Sequence, residues 1–324
     1  MKVLITGSAG FIGYNFAKSL LEKKGFKIVG IDNFNDYYDV SLKKKRNNLL
    51  KKYRSFQFIK IDIRNKIKLE KLFKKKNFDF VFHFAAQAGV RYSIKHPRKY
   101  IESNLLGFYN ILENVKKYKV KRLFYASSSS VYGDNKNFPL NEKENIFPKN
   151  IYGLSKKVNE EISFIFNKYY NVKLIGLRFF TVFGEWGRPD MLIFKYLKSI
   201  YEKKKFKLNA DGKHFRDFTY IKDVIKIITK ITKINPTEKF CVYNICSNKP
   251  VKVSRVINLI NKQVKLKTYV NKINSKLLEK IEVNKTHGDN KKVLKKIKNV
   301  KFTNFDKALY QTVEWYSKNK IYTI

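Results

Sequence analysis

The amino-acid sequence predicts an α/β protein in which a doubly wound parallel sheet is followed by a smaller C-terminal lobe. Short apolar runs alternate with longer amphipathic stretches through the first half of the chain, which is the pattern of repeated βαβ units. After about residue 180 the pattern breaks into shorter pieces. We therefore expect residues 1–180 to form the sheet domain. Residues 181–324 should form mainly a lobe over the carboxyl edge of the sheet, with some chain returning to the first domain.

Each predicted strand is a short apolar run, and each predicted helix is a longer stretch with an apolar face. In chain order the strands are Lys2–Thr6, Lys27–Ile31, Phe56–Ile61, Phe78–Phe82, Arg122–Ala126, Lys173–Leu177 and Val242–Cys246. The helices are Phe11–Lys24, Ile67–Lys76, Arg98–Tyr118, Ile151–Tyr170, Met191–Lys203 and Lys222–Lys233. We interpret the basic clusters Lys43–Arg46 and Lys74–Lys76 as solvated helix faces.

The formal net charge of +44 is the most unusual property of the composition. Clustered basic residues would indicate binding to nucleic acid or to an anionic membrane. Here the basic residues are spread over the whole chain, and only ten of the 70 are arginine. Isoleucine, asparagine and phenylalanine are abundant too, as in proteins from AT-rich genomes. We interpret the charge as a solvated lysine surface whose positive field favours an anionic substrate, with no specific nucleic-acid partner.

Several protein classes are not supported by the sequence. No apolar run approaches the roughly 18 residues of a membrane helix. The first strand begins at Lys2, so we expect no leader peptide and a cytoplasmic location. Cys241 and Cys246 cannot form a disulfide framework, and the four histidines lack metal-ligand spacing, so we expect no metal site.

A glycine-rich turn joins the first predicted strand to the first predicted helix. It reads Thr-Gly-Ser-Ala-Gly-Phe-Ile-Gly, with glycines at Gly7, Gly10 and Gly13. Glycines at this place let the backbone approach a pyrophosphate, which then lies at the positive N-terminus of the helix. A glycine trio alone is weak evidence, but its position between a strand and a helix predicts a Rossmann-like dinucleotide site.

The second predicted strand is followed by Asp32, nineteen residues after Gly13. An acidic side chain at this position accepts hydrogen bonds from the adenosine ribose and repels a 2′-phosphate. The sequence therefore predicts NAD, rather than NADP, as the cofactor.

A candidate catalytic pair lies at the start of the long helix 151–170. Tyr152 and Lys156 are four residues apart, which puts the phenol and the ammonium on one helix face. Such a pair often occurs by chance, but a serine-rich segment, Ser127–Gly133, follows the fifth predicted strand and strengthens the case. A tyrosine of pKa near 10 can act as a base at neutral pH only if cations stabilise its anion. Lys156 and a nicotinamide ring are suited to that role.

Together these motifs resemble the extended short-chain dehydrogenase/reductase family, which is the NAD-dependent epimerase/dehydratase family. The spacing of three residues between the glycines is similar to that of this family. The resemblance implies that Ser128 binds the substrate hydroxyl and relays its proton. It also implies further dinucleotide contacts, from Phe11, Ile12, Asp62, Ile63, Ala85, Ala86, Gln87 and Asn104 in addition to Tyr152 and Lys156.

The residues before the Val-Tyr-Gly of the serine-rich segment distinguish branches of the family. Dehydratases have Asp-Glu there, and UDP-glucuronate decarboxylases typically have a glutamate. This chain has Ser129 and Ser130 instead. Removal and return of a hydride without elimination is what this resemblance implies, and that is the chemistry of an epimerase.

Three further segments resemble the UDP-glucuronate 4-epimerases of that family. They are Asp32–Asp39, Gln87–Ser93 and Arg178–Met191. The resemblance implies reversible inversion of C4 between UDP-glucuronate and UDP-galacturonate, through a transient 4-keto sugar.

Oxidation of C4 in a uronic acid creates a β-keto acid, which loses carbon dioxide readily. An epimerase must therefore fix the carboxylate, and a guanidinium is suited to holding this planar group. We hypothesise that Arg188 and Thr181 hold the uronate, with help from Arg91 or Ser93. The alternative for Arg188 is an ordinary loop arginine near the phosphates.

The rest of the UDP-sugar site follows from resemblance alone. Segment 212–224 resembles the family's nucleotide-binding stretch, in which Arg216 is the candidate for the diphosphate contact. Asp289 is the candidate for the UDP ribose. The chain departs from the family's pattern at Lys291–Lys296, and Cys246 replaces an expected glycine.

Two other functions stay open at this stage. One is a 4-epimerase of a neutral UDP-hexose or UDP-N-acetylhexosamine. The other is a non-catalytic RNA-binding or regulatory protein on the same fold, although such proteins often lose the active-site trio that this chain retains. The resemblance also implies a homodimer formed through the helices Arg98–Tyr118 and Ile151–Tyr170.

Overall fold

A computed structural model describes residues 1–234, 239–266, 268–273 and 275–319 of the chain. The strands are β1 (Lys2–Thr6), β2 (Lys27–Asp32), β3 (Phe56–Lys60), β4 (Phe80–His83), β5 (Arg122–Ser128), β6 (Leu174–Phe179), β7 (Thr181–Phe183), β8 (Phe206–Asn209), β9 (Phe215–Tyr220), β10 (Phe240–Ile245), β11 (Pro250–Lys252) and β12 (Val270–Ile273). The helices are α1 (Phe11–Leu21), α2 (Val40–Lys51), α3 (Lys66–Lys75), α4 (Val90–Lys95), α5 (Pro97–Tyr100), α6 (Gly107–Lys117), α7 (Ile151–Tyr170), α8 (Leu192–Tyr201), α9 (Ile221–Lys233), α10 (Val253–Val264), α11 (Lys276–Ile281), α12 (Lys291–Ile297) and α13 (Phe305–Asn319).

A seven-stranded parallel sheet lies at the centre of the molecule. Its strand order is β3-β2-β1-β4-β5-β6-β10, which confirms the doubly wound fold. The order reverses at β1, so the crevice at the carboxyl ends of β1 and β4 is the topological switch point where ligands of such sheets bind. The last strand, β10, comes from the C-terminal half of the chain and pairs with β6 along its full length.

Apolar helix faces cover both sides of the sheet. Helices α1, α2 and α9 contribute to the core on one side, and α3, α6 and α7 to the core on the other. Helix α9 shows the pattern clearly, because its isoleucines and valine recur at helical spacing and are buried. Helix α7 begins at the cap residue Asn150, whose side chain accepts from the backbone N–H of Gly153, and it ends at Asn171 in the left-handed conformation.

The C-terminal lobe contains a three-stranded sheet, β11-β9-β7, and a two-stranded sheet, β12-β8. Its apolar residues join the core cluster on the α1 side of the large sheet without a break. The lobe and the sheet domain therefore share one hydrophobic core on that side. No helix in the described ranges is long and apolar enough to cross a membrane.

The predicted helix Arg98–Tyr118 is more irregular than its sequence pattern suggests. The chain runs from α5 through a π-helical segment, Ile101–Leu106, into α6. A π-helical turn accommodates an extra residue and is often found near functional sites. Here it accompanies the burial of Asn104 beneath the loop after β4.

The interpretation of Lys43–Arg46 as a solvated helix face is wrong for Lys43 and Arg46, whereas Lys44 and Lys45 are exposed as predicted, like Lys74 and Lys75 of the second cluster. Lys43 is 5% exposed and Arg46 is fully buried on the inner face of α2. The Arg46 guanidinium donates to the carbonyl oxygens of Ala9 (3.1 Å) and Gly187 (3.1 Å), and also to that of Trp186. The composition of this segment did not indicate that Lys43 and Arg46 are buried, because the exposed lysines Lys44 and Lys45 lie between them in the sequence.

Candidate active site

One cavity opens at the carboxyl edge of the central sheet. Its walls come from the turn after β1, the ends of β2 to β5, the start of α7 and the segment before α8. Residues of the predicted cofactor, catalytic and substrate sets line it together: Gly7, Gly10, Phe11, Ile12, Gly13, Asp32, Asp62, Ile63, Ala85, Ala86, Ser128, Tyr152, Lys156 and Arg188.

The glycine turn is packed too tightly for larger residues. A Cβ atom on Gly13 would lie 2.2 Å from the carbonyl oxygen of Gly7. Gly7 itself has a φ of +69°, and its Cβ atom would lie 2.7 Å from the backbone nitrogen of Ala85. Gly10 caps α1 without a side-chain hydrogen bond, so the first N–H groups of this helix face the cavity uncapped by a side chain. This cradle fits a pyrophosphate.

Asp32 lies at the end of β2, at the adenosine side of the cavity. Its carboxylate accepts from the backbone N–H groups of Phe34 (2.8 Å) and Ala9 (3.2 Å). Burial raises the pKa of Asp32, and the nearby cation of Lys43 opposes this effect. Lys43 also lines the cavity and donates to the carbonyl oxygen of Asn35 (2.7 Å), so a basic group that the sequence analysis missed stands beside the predicted ribose site.

Asp62 and Ile63 line the cavity after β3. The Asp62 carboxylate accepts from the side chains of Asn33 (2.9 Å) and Arg64 (2.8 Å), which lower its pKa against the effect of burial. An adenine ring would therefore meet an ordered, charged carboxylate at this side of the cavity.

Asn104 and Gln87 do not line the cavity. The Asn104 side chain accepts from the backbone N–H of Gln87 (2.7 Å) and donates to its carbonyl oxygen (3.1 Å) and to the Ser155 hydroxyl (3.0 Å). It thereby ties the loop after β4 to helix α7. In this structure its amide supports the loop that carries Ala85 and Ala86.

Ser128, Tyr152 and Lys156 meet at the floor of the cavity. Lys156 donates to the carbonyl oxygen of Ala126 (2.9 Å), and its Nζ lies 6.0 Å from the centre of the Tyr152 ring. Burial raises the pKa of Tyr152, whereas a hydrogen bond from Ser128 and the charge of Arg188 lower it. Burial lowers the pKa of Lys156 to about 8, and Glu160 opposes that shift. The three side chains thus line the same part of the cavity.

A buried ion pair that the sequence analysis missed lies behind this trio. Arg178 of β6 donates to both carboxylate oxygens of Glu160, at 2.9 and 2.7 Å. Glu160 also accepts from the hydroxyl of Ser127, the residue before Ser128, and it lies one helical turn after Lys156. Its position in the register of α7 after Tyr152 and Lys156 is the signal by which sequence reasoning could have found it.

Arg188 lines the same cavity, and its charge lowers the pKa of Tyr152. Its guanidinium makes two hydrogen bonds to Asp190, at 2.9 and 2.6 Å. Thr181 lines a smaller adjoining cavity that shares Val182, Arg188 and Met191 with the main one.

The other predicted substrate contacts lie outside the main cavity. Arg91 pairs with Glu282 of the C-terminal lobe at 2.5 Å, and Arg216 donates to the carbonyl oxygens of Phe215 and Asn284. Ser93 is buried, and its hydroxyl donates to the carbonyl oxygen of Val90 within α4. Asp289 accepts from the backbone N–H of Lys291 (2.8 Å). Over the described residues, no group of three or more candidate metal ligands occurs.

Comparison with known proteins agrees with this architecture. Residues 3–246 match the model of the NAD dependent epimerase/dehydratase family. Protein CapI of Staphylococcus aureus is 42% identical over 277 residues, which cover 80% of this chain and 82% of that protein. UDP-glucuronate 4-epimerase 4 of Arabidopsis thaliana is 40% identical over 276 residues, which cover 80% of this chain and 62% of the plant protein.

The fold also matches solved structures. UDP-glucuronic acid 4-epimerase from Bacillus cereus, in complex with UDP-glucuronic acid and NAD, superposes with a TM-score of 0.92 at 29% identity. The match covers 98% of this chain and 100% of the bacterial enzyme.

Proposed function

Because the chain belongs to the NAD-dependent epimerase/dehydratase family, we propose that it interconverts UDP-glucuronate and UDP-galacturonate by inverting C4. The observation that carries this proposal is the position of Arg188, whose guanidinium lines the same cavity as Ser128, Tyr152 and Lys156. Relatives named UDP-glucuronate 4-epimerases, and the bacterial enzyme that holds UDP-glucuronic acid, support the choice of substrate.

NAD is the cofactor of this chemistry. The glycine turn and the N-terminus of α1 would hold its pyrophosphate, Asp32 would hold the adenosine ribose, and Asp62 and Ile63 would flank the adenine. When bound, NAD supplies an acceptor for the C4 hydride and later returns it, so that no net oxidation occurs.

Residues of the chain itself take up and return the proton. Tyr152 takes the proton of the 4-hydroxyl, directly or through Ser128, and the hydrogen bond from Ser128 and the charge of Arg188 favour the phenolate. Lys156, whose Nζ lies 6.0 Å from the centre of the Tyr152 ring, adds a second cation on the same helix. Burial opposes that phenolate, so the effects of Ser128 and Arg188 must compensate for it, with help from the charge of Lys156 and of the positive nicotinamide ring. The keto sugar then turns about its link to the diphosphate and presents its other face. Tyr152 returns the proton to the oxygen on C4.

The cavity supports epimerisation rather than elimination. Its carboxylates, within the described residues, are Asp32 and Asp62, which both belong to the cofactor side. Ser127, Ser128 and Ala126 form the wall beside Tyr152. A dehydratase must remove a carbon-bound proton and expel a hydroxyl, and no acidic side chain lines this part of the cavity to do so.

We assign the uronate carboxylate to Arg188 and Thr181, with Arg91 and Ser93 as secondary candidates. Arg216 remains the candidate for the diphosphate and Asp289 for the UDP ribose. Glu282 contacts Arg91, and its pKa is lowered by Arg91, Arg216 and His214 against the effect of burial. A diphosphate that binds near Arg91 and Arg216 would therefore compete with Glu282 for these two guanidinium groups.

This assignment implies that the two parts of the chain bind different ligands. Residues 1–180 would bind NAD, and residues 181–324 would mainly bind the UDP-sugar. The exception is β10, which completes the large sheet. We also propose a cytoplasmic location, as the sequence predicts.

A homodimer through the helices at 98–118 and 151–170 is part of the proposal. Large apolar side chains are exposed on this surface: Leu106 (58%), Tyr109 (42%), Phe164 (51%) and Ile165 (47%). Helices α6 and α7 pack against each other, and exposed apolar surface on such neighbouring helices favours an interaction site. Sedimentation analysis tests this point: Phe164→Glu should convert a dimer to a monomer, and a wild-type protein that sediments as a monomer would contradict it.

The activity is tested by incubating the purified protein with UDP-glucuronate and trace NAD, followed by ion-exchange separation of the products. UDP-galacturonate with little pentose product is expected, and Tyr152→Phe should slow its formation by about 10²–10⁴-fold. A dominant UDP-pentose would mean decarboxylation. Turnover of UDP-glucose or UDP-N-acetylglucosamine instead would move the substrate to a neutral sugar.

A further inference from the structure

Three sequence segments that resemble UDP-glucuronate 4-epimerases meet at a single side chain, Tyr37. Tyr37 belongs to the segment Asp32–Asp39, and its hydroxyl donates to the Asp190 carboxylate (2.9 Å) in the third segment. In the second segment, a Cβ atom on Gly89 would lie 2.1 Å from the same hydroxyl. Because Gly89 has no Cβ atom, there is room for the Tyr37 hydroxyl at this point.

The acceptor of this hydrogen bond is the residue that holds Arg188. Asp190 contacts Nε and one terminal nitrogen of the guanidinium, and both side chains are about three-quarters buried, at 25% and 22% exposure. Over the described residues, Nη1 of Arg188 has no hydrogen-bond partner. A guanidinium fixed along its Nε–Nη2 edge holds its remaining N–H groups, two on Nη1 and one on Nη2, in one fixed plane.

The remaining N–H groups of Arg188 matter because this side chain lines the cavity. Arg188 lines the cavity together with Tyr37 and Tyr152, and its charge acts on the Tyr152 hydroxyl. The ring of Tyr37 also lies beside the guanidinium, with its centre 5.9 Å from the central carbon. Tyr37 and Asp190 thus fix the arginine from two sides.

We propose that Tyr37 and Asp190 are positioning residues that fix Arg188 on the substrate carboxylate and so determine whether the keto sugar is epimerised or decarboxylated. This inference rests on the proposed function. Neither residue touches the reacting atoms; both act through Arg188.

The chemistry explains why the position of this cation matters. In the 4-keto sugar the C5–C6 bond can break, so that carbon dioxide leaves and the bonding electron pair enters the C4 carbonyl as an enolate. A proton at C5 then gives the 4-keto pentose. Because negative charge leaves the carboxylate in this step, an ion pair that holds the carboxylate stabilises the starting state and slows the loss of carbon dioxide. A guanidinium that can move allows the carboxylate to rotate into alignment with the carbonyl.

The test compares Tyr37→Phe and Asp190→Asn with the wild-type holoenzyme. Both replacements keep the shape of the side chain and remove one contact to the arginine support. The ratio of 4-keto pentose product to UDP-galacturonate should rise about fivefold in Tyr37→Phe, as expected for one lost hydrogen bond, and further in Asp190→Asn. The Km for UDP-glucuronate should rise, whereas the affinity for UDP, which lacks the carboxylate, should not change.

Tyr92→Phe is the matched control. Its ring packs edge-on against Tyr37, with centres 4.9 Å apart, but its hydroxyl accepts from Lys99 (2.9 Å). The product ratio should stay that of the wild type. An unchanged ratio in both Tyr37→Phe and Asp190→Asn, with normal thermal unfolding, would overturn the inference alone. Failure of the wild-type protein to convert UDP-glucuronate would overturn the proposed function, and the inference with it.

Discussion

Glu160 contacts or influences the surroundings of two members of the proposed catalytic trio. It accepts from Ser127 next to Ser128, and its charge raises the pKa of Lys156 against the effect of burial. Its own charge is compensated by Arg178 in a buried ion pair. One side chain therefore sets both the position of the serine strand and the charge of the lysine.

Glu160→Gln should shift the alkaline limb of activity to lower pH. Lys156 must be charged to favour the Tyr152 phenolate, and its pKa of about 8 falls further when the nearby carboxylate is removed. Activity is thus lost as pH rises through a lower value than in the wild type. The pH profile of kcat/Km checks this, since it reports groups of the free enzyme.

Glu161→Gln provides the control for that profile. Glu161 is the exposed neighbour and forms an ion pair with Lys157, at 3.7 Å. Its replacement should leave the profile unchanged. Identical alkaline limbs in the wild type and Glu160→Gln would show that Glu160 acts only on stability, where loss of a buried partner costs about 3–5 kcal/mol.

Sequence reasoning found the residues whose signal is local. Gly7, Gly10 and Gly13 stand between a strand and a helix, and Tyr152 and Lys156 share one helix face, so short motifs identified them. Contacts between distant segments gave no such signal. The register of α7 marks Glu160 itself but not its pairing with Arg178, which lies 18 residues away on β6, and Tyr37 and Asp190 lie 153 residues apart.

At the scale of elements, α2 joins parts of the chain that are distant in sequence. Its Arg46 bonds the glycine turn at Ala9 and the turn at Trp186 and Gly187, which precedes Arg188. Sequence patterns could not predict this role, because the preceding lysines Lys43–Lys45 make the segment look like a surface. The pairing of β10 with β6 was equally hidden, since strand order depends on long-range contacts.

Arg46→Lys should destabilise the protein although it conserves the charge. One ammonium cannot reach the carbonyl oxygens that the planar guanidinium bonds, and each buried carbonyl left unpaired costs about 1–3 kcal/mol. Urea unfolding measures the loss. Arg54→Lys, an exposed arginine just after the same helix, should stay within about 0.5 kcal/mol of the wild type. Equal losses in the two variants would contradict the role of Arg46.

At the scale of the whole molecule, the net charge of +44 opposes compaction by self-repulsion. Salt shortens the screening length from about 30 Å at 0.01 M to about 8 Å at 0.15 M. Sodium chloride should therefore raise the thermal midpoint, by about 2 °C for roughly 1 kcal/mol of relieved repulsion. It should also lower kcat/Km for an anionic UDP-sugar, because the same field attracts that substrate.

Salt should raise the thermal midpoint and lower kcat/Km, and these opposite responses distinguish self-repulsion of the charged chain from a general solute effect. Calorimetry and initial rates over the same salt series provide both measurements. Sucrose over a matched concentration series should leave kcat/Km for the UDP-sugar unchanged. A midpoint that falls with sodium chloride would mean that specific ion pairs, and not self-repulsion, dominate the stability.

The contacts of Arg46 also limit how this protein can be re-engineered. A loop is exchangeable between related enzymes when its anchors lie within the exchanged segment. The segment around Arg188 is anchored from outside, by Arg46 and Tyr37, and Arg46 holds the cofactor turn as well. Grafting residues 184–191 from an enzyme of different specificity would leave a buried guanidinium facing foreign backbone. The substrate loop and the cofactor turn form a single exchangeable module, and a successful transplant has to carry α2 with them.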